Sequence, residues 1–255
     1  MSDSVVSLRS RVVWKVGLLL LIIVLGVVGI PWITYERPIL AEAAAALESD
    51  DLVTVTQSPW LTFTPAQDAP TTGFIFYPGG RIAHEAYASL MRTLATEGYL
   101  AIVPDMPLNI AAFRPNIADK IVAAYPDIDR WVISGHSVGG AMAAQYTYKH
   151  GENIDGLAIW ASYPPNKADL SDLDLPVVLI YGGHETGVTD DAVAARKHLL
   201  PAETVYVRIE GGDHHQFGSY EIPPEDHLAT VSREIQHEQI IRATLDLLNI
   251  VSAIE

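Results

Sequence analysis

The strongest constraint in this sequence is the run Trp131-Val132-Ile133-Ser134-Gly135-His136-Ser137-Val138-Gly139-Gly140, where an apolar, β-branched segment breaks at a serine flanked by glycines and then turns helical. Gly-x-Ser-x-Gly in that setting demands a sharp strand-to-helix bend. The serine takes strained backbone angles, and the residues two before and two after it must be small for strand and helix to approach. Gly135 and Gly139 fill those places. Such a turn projects the Ser137 hydroxyl from the carboxyl end of a central parallel strand, at the start of a helix whose free N–H groups and dipole favour an oxyanion. The bare motif also occurs in structural glycine turns. Here the strand pattern before it and the helical Met142-Ala143-Ala144-Gln145-Tyr146 after it favour a nucleophilic serine and acyl-transfer chemistry.

The flanking pattern asks for an α/β sheet around this turn. Val53-Thr54-Val55-Thr56 and Leu61-Thr62-Phe63-Thr64 alternate like half-exposed strands and predict a leading hairpin. Strands and helices then alternate. Strands are expected at 73–77, 100–103, 131–134, 157–161, 176–181 and 204–209, and helices at 85–96, 117–125, 138–150, 190–199 and 235–250. Near-continuous apolar strands separated by amphipathic helices indicate a doubly wound, mostly parallel sheet covered on both faces, with its site beyond the carboxyl ends of the strands. The short connection from Trp160 to Pro176 leaves no room for a large helical cap.

Ahead of this domain, Val16 to Ile33 carries no charge and is long enough to cross about 30 Å of hydrocarbon as a helix. Arg9, Arg11 and Lys15 precede it and Glu36 and Arg37 balance after it, so the positive-inside tendency places the amino terminus in the cytoplasm. The organisation expected is a cytoplasmic segment 1–15, one transmembrane signal anchor 16–35, a stalk 36–50 and a catalytic domain 51–255 outside the cell membrane. A cleaved signal peptide, with small residues at Ala41-Glu42-Ala43, and a buried core helix are the alternatives. Beyond Arg37, twelve Lys and Arg stand against twenty-nine Asp and Glu, which argues against nucleic acid as a partner. With no cysteine, thiolate metal sites and a cysteine nucleophile are excluded. No cofactor is expected. His184, Asp213, His214 and His215 lack recognisable metal-ligand spacing, so no metal is expected either.

A serine hydroxyl needs a base to take its proton, and the base needs a partner that stabilises its charged form. In this architecture the chain order is Ser, acid, His. Gly182-Gly183-His184-Glu185-Thr186-Gly187 supplies Glu185, and Gly211-Gly212-Asp213-His214-His215-Gln216-Phe217-Gly218 supplies His214, with His215 as the alternative base. Asp190 and Asp191 are alternative acids, although after Thr189 they suit the first turn of a helix, and Asp213 directly adjoins the base. Tyr77-Pro78-Gly79-Gly80-Arg81 follows the first core strand. The backbone N–H groups of Gly80 and Val138 are the candidate oxyanion donors.

Together, Phe76-Tyr77-Pro78-Gly79-Gly80, Pro104-Asp105-Met106-Pro107-Leu108-Asn109, the Gly135–Gly140 turn, Tyr181-Gly182 and Gly211–Gly218 resemble the alpha/beta hydrolase fold-5 family, relatives of the dienelactone hydrolases. The likeness covers about residues 50–250, and Ser232-Arg233-Glu234-Ile235-Gln236 is similar to that family's ending. It implies a Ser-Asp-His hydrolase with Ser137 as nucleophile and His214 as base. This chain has Glu185 where the family usually has Asp, and Asp213 where it usually has Asn. The expectation is a membrane-anchored serine ester hydrolase acting on a small molecule. An acyltransferase using the same serine and a non-catalytic binding domain are the alternatives.

Overall fold

The computed structural model describes residues 37–254, with Trp14, Lys15, Val16 and Leu18 ahead of them. The expected segments 1–15 and 16–35 otherwise lie outside the described residues. Among the described residues no helix is long and apolar enough to cross a membrane. The chain divides between Glu36 and Arg37, and the fold is that of the second part.

In chain order its elements are α1 (Ala41–Ala45), β1 (Val53–Thr56), β2 (Leu61–Pro65), β3 (Thr72–Tyr77), α2 (Ala88–Thr96), β4 (Leu100–Val103), α3 (Ile117–Ala124), β5 (Arg130–His136), α4 (Val138–His150), β6 (Gly156–Trp160), β7 (Val177–Gly182), α5 (Asp190–Ala194), β8 (Val205–Ile209) and α6 (Arg233–Ser252). They build one eight-stranded sheet in the order β1-β2-β4-β3-β5-β6-β7-β8. The leading hairpin β1–β2 is antiparallel and joins the sheet antiparallel through β4, while the pairs from β4 onward are parallel.

Strand β3 shows why both faces are covered, since all six of its residues are buried. Successive side chains point to opposite faces of a strand. Phe74 and Phe76 join Leu90, Met91 and Leu94 of α2 and Leu247, Leu248 and Val251 of α6. Ile75 and Tyr77 join Ile121 of α3 and Ala143 and Ala144 of α4 in a second cluster.

Several segments differ from the sequence expectation. The helix expected from Glu85 is split into a 3₁₀ turn, His84–Tyr87, and α2. The helix expected over 190–199 ends at Ala194, and a separate 3₁₀ turn occupies Lys197–Leu199. The expected stalk 36–50 is, from Arg37 onward, part of the fold: Ile39 bridges Tyr220, the Leu40 N–H donates to Ser219 O, and Ala43 and Ala46 are buried. Small alanine side chains let this short helix lie flat on the turn and helix that follow β3, which a free stalk would not need.

The bend after β5 depends on two glycines. A Cβ on Gly135 would stand 2.5 Å from the Gly139 carbonyl oxygen, and one on Gly139 would stand 2.5 Å from the Pro78 carbonyl oxygen and still nearer to that of Tyr77. The obstacle is backbone in both cases and cannot swing aside. Ser137, between them, sits at φ 55° and ψ −121°, a conformation that L-residues rarely take. Gly139→Ala is therefore expected to destabilise the fold by about 3 kcal/mol or more. Urea unfolding of the full-length chain checks this through a lowered midpoint, and an unchanged midpoint would contradict the packing argument.

Candidate active site

Ser137, His214 and Glu185 come from three separate loops at the carboxyl edge of the sheet and meet there. The bend after β5 presents Ser137, the turn after β8 carries His214, and the loop after β7 carries Glu185. His214 Nε2 lies 3.0 Å from Ser137 Oγ, and His214 Nδ1 lies 3.0 Å from Glu185 Oε2. An ionised carboxylate can only accept, so Nδ1 carries the proton and Nε2 is left with a lone pair facing the serine hydroxyl.

The environments of His214 and Glu185 differ sharply. The Glu185 side chain is 0% exposed and that of His214 is 30% exposed. A shielded carboxylate must be hydrogen-bonded, and Glu185 accepts from the Gly182 N–H at 2.7 Å as well as from His214. The loops of Glu185 and His214 are also locked together, with the His184 N–H donating to Gly212 O at 2.9 Å. A Cβ on Gly182 would stand 2.5 Å from that same oxygen.

The alternative candidates are occupied elsewhere. His215 faces Tyr220 Oη at 3.3 Å and Asp226 at 3.9 Å, and burial, followed by the nearby charges of His214 and Arg37, lowers its pKa. Asp190 accepts from Tyr181 Oη at 2.8 Å and from Arg208 Nε at 3.0 Å. Burial, and then that bond to Asp190, pushes the Tyr181 phenol up to about 12. Asp191 is exposed in the first turn of α5, which Thr189 caps by accepting from the Ala192 N–H.

On the oxyanion side, Gly80 lies against Val138: a Cβ added to Gly80 would be 3.5 Å from Val138 Cγ2. Val138 is the first residue of α4, where backbone N–H groups have no intrahelical acceptor. Around Gly80 the other N–H groups are bonded, Gly79 to Tyr87 Oη and Arg81 to Asn109 O. In front of Ser137 opens a cleft of about 480 Å³ walled by Val138, Ala141, Ala161, Tyr163, Pro165 and Val188. Its apolar wall suits an uncharged acyl or alkyl group. Among the described residues no group of three or more His, Asp or Glu is disposed to hold a metal ion.

Two residues important to this geometry were legible only as motif members. Asp213 is fully buried, and its carboxylate accepts four backbone N–H groups. His215 and Gln216 donate to Oδ1 at 3.0 and 2.9 Å, and Leu228 and Ala229 to Oδ2 at 3.1 and 3.0 Å. An asparagine amide offers one acceptor atom and could not serve both pairs, which accounts for an acid at this position. Gln236 on α6 clamps the same residue from behind, accepting from the Asp213 N–H at 3.0 Å and donating to its carbonyl at 2.8 Å. The Ser232–Gln236 segment thus supports the histidine loop from a helix start, where Ser232 accepts from the Ile235 N–H.

Comparisons with known proteins agree with this architecture. A sequence model described as alpha/beta hydrolase family matches residues 73–238. An inferred carboxymethylenebutenolidase of Salmonella typhimurium is 26% identical over 161 residues, covering 49% of this chain and 59% of that protein. The chain thus matches little more than half the length of this relative. Among solved structures, a CIB-like hydrolase from Thermoplasma acidophilum superposes with a TM-score of 0.58 at 17% identity, over 77% of this chain and 98% of that one. Esterase 2 of Thermogutta terrifontis gives 0.58 at 14% identity, over 80% and 96%.

The four-way clamp on Asp213 has a measurable consequence. Asp213→Asn leaves one of the two N–H pairs, His215 with Gln216 or Leu228 with Ala229, facing an amide nitrogen that cannot accept from it, at a cost of about 1–3 kcal/mol. Urea unfolding and amide exchange at His215, Gln216, Leu228 and Ala229 report it, and unchanged exchange at all four residues would refute the clamp.

Proposed function

Because this chain belongs to the alpha/beta hydrolase family, we propose that it hydrolyses ester bonds of small molecules through an acyl-serine intermediate. The observation that carries this reading is the continuous path Ser137 Oγ, His214, Glu185, with both links at 3.0 Å, beneath the open apolar cleft. The relatives' names and the esterase neighbour point the same way.

In this reading Ser137 Oγ attacks the ester carbonyl carbon while its proton moves to His214 Nε2. The imidazolium is stabilised by Glu185, whose carboxylate faces Nδ1–H. The carbonyl oxygen, now negative, accepts from the N–H groups of Gly80 and Val138. Collapse of this intermediate breaks the bond to the alkoxy oxygen, which leaves as the alcohol with the proton from Nε2. Water then attacks the acyl-serine, giving its proton to His214, and the carboxylic acid departs as Ser137 recovers its own. The strained backbone at Ser137 holds Oγ proud of the turn, so little reorganisation is needed before attack.

We also propose that residues 16–35 anchor the protein as a single span in the cell membrane with the catalytic domain outside. The uncharged run from Val16 to Ile33 behind Arg9, Arg11 and Lys15 supports that orientation. Protease added to intact cells should remove the domain and spare the amino terminus. Protection of the domain until lysis would reverse the assignment.

For the chemistry, the full-length chain in mild detergent should turn over p-nitrophenyl acetate and react with a fluorophosphonate probe, and Ser137→Ala should do neither. Retention of both by Ser137→Ala would refute the mechanism. Loss of an orienting carboxylate costs about 10⁴-fold in the serine-protease template. Glu185→Gln is accordingly expected to lose at least about a hundredfold in kcat, against a few-fold for Asp190→Asn and Asp191→Asn, whose carboxylates stand away from the base. An inactive Asp190→Asn beside a fully active Glu185→Gln would reassign the acid. Added alcohols should leave the carboxylic acid as main product, whereas dominant ester exchange would make the protein an acyltransferase.

A further inference from the structure

We propose that Tyr87 and His136 act as a pair of positioning residues that set the oxyanion loop and the catalytic histidine at a fixed distance from each other, through one directed chain of hydrogen bonds running beneath Ser137. The proposal rests on the esterase reading of the site and explains why a histidine stands immediately before the nucleophile.

His136 ends β5 and is fully buried. Its Nε2 lies 3.0 Å from the backbone carbonyl oxygen of His214, and its Nδ1 lies 2.9 Å from Tyr87 Oη. Tyr87 Oη in turn accepts from the Gly79 N–H at 3.0 Å. The directions follow from donor and acceptor chemistry. A carbonyl only accepts, so His136 Nε2 carries the proton. Nδ1 of the neutral ring is then an acceptor, and the Tyr87 hydroxyl must donate to it. The phenol oxygen keeps lone pairs for the Gly79 N–H. Every polar atom along the path is satisfied in this arrangement and its ends are unambiguous, Gly79 N–H as first donor and His214 C=O as last acceptor. Burial favours the same state, because it holds the His136 ring neutral and keeps the Tyr87 phenol protonated.

The chain joins parts of the site that covalent connectivity leaves far apart. Gly79 precedes Gly80, the proposed oxyanion donor; His136 precedes Ser137; His214 is the proposed base. Aromatic packing stiffens it further. The His136 ring stacks on Phe217 at 5.4 Å between centroids with 7° between planes, and the His214 ring lies 4.7 Å away on a tilt. The turn that carries Tyr87 also holds the far end of the histidine loop, with the Ser219 N–H donating to Ala86 O at 2.7 Å. Neither Tyr87 nor His136 lines the cleft, so substrate affinity should be insensitive to them. Attack and oxyanion stabilisation depend instead on the distance between the Gly80 N–H and His214 Nε2, where a 1 Å error costs about 100-fold.

The test compares Tyr87→Phe, His136→Gln, His136→Leu and the double variant Tyr87→Phe with His136→Leu in the full-length protein, using p-nitrophenyl acetate. Tyr87→Phe should lower kcat about tenfold and His136→Leu about a hundredfold, with KM within about twofold of the parent in both. His136→Gln retains an N–H for the His214 carbonyl and should recover most of the loss seen with leucine. The double variant should be no slower than His136→Leu alone, because a broken chain cannot be broken twice. A second readout does not need turnover. Amide exchange at Gly79 should accelerate in His136→Leu although the Gly79 N–H is bonded to Tyr87 and not to His136. A Tyr87→Phe kcat within twofold of the parent, a change confined to KM, additive losses in the double variant, or unaltered Gly79 exchange would each overturn the pair. If Tyr87→Phe fails to fold, the glutamine-against-leucine comparison and the exchange measurement decide the matter. Activity surviving in Ser137→Ala would instead fault the esterase reading, leaving the exchange result to judge the pair alone.

Discussion

The close approach of α4 to the end of β3 is the constraint on which the site depends. Without a side chain at Gly139 the helix start lies directly against the Tyr77 and Pro78 carbonyls, and without one at Gly135 the strand can fold back on its own helix. That contact forces Ser137 into its left-handed conformation. It also brings the loop after β3 beside the first N–H groups of α4. The projection of Ser137 and the pairing of Gly80 with Val138 are therefore products of one packing event, since any shift that relieved the backbone at Ser137 would also move Gly80 away from Val138.

The partners of Glu185, Asp213 and Asp190 separate the three carboxylates. Glu185 shares its oxygens between a main-chain N–H and the imidazole, so it faces His214 with one oxygen and its own loop with the other. Asp213 is committed wholly to backbone and makes the loop rigid. Asp190 is tied to Tyr181 and Arg208 on the flank of β7 and β8. Since a buried carboxylate is tolerated only with its lone pairs occupied, its donor set discriminates better than its distance along the chain.

Much of this was legible in the sequence because the signals are local. The β3 and β5 runs, the glycine spacing and α4, with its limits at Val138 and His150, follow from residues within a few positions of one another. The order Ser, Glu, His could also be read, since each lies in a glycine-rich loop that follows an apolar strand. The misreadings arose where distant partners decide. The helix expected from Glu85 is broken at Tyr87, whose hydroxyl reaches Gly79 and His136. The strand expected to end at Ser134 continues to His136, which pairs in register with Trp160. The part of the expected stalk from Arg37 on is folded because residues near position 220 cover it. Nothing beside Asp213 in the chain announces the four N–H groups it serves, two of which come from residues 15 and 16 positions away.

The bridge between Ile39 and Tyr220 also bears on how such a chain is made. Together with the bond from Leu40 to Ser219 and the ion pair of Arg37 with Asp226, whose residues are 189 positions apart, it joins one of the earliest folded segments to one of the last. During synthesis the residues from Arg37 to Leu40 emerge ahead of the sheet and must wait, unpaired, until most of it has formed. Contacts of such separation carry a large closure entropy and form late. The segment they wait for directly follows the histidine loop. Completion of the fold and arrival of His214 beside Ser137 are thus coupled in time, so a nascent chain that already displays its serine has not yet met the imidazole.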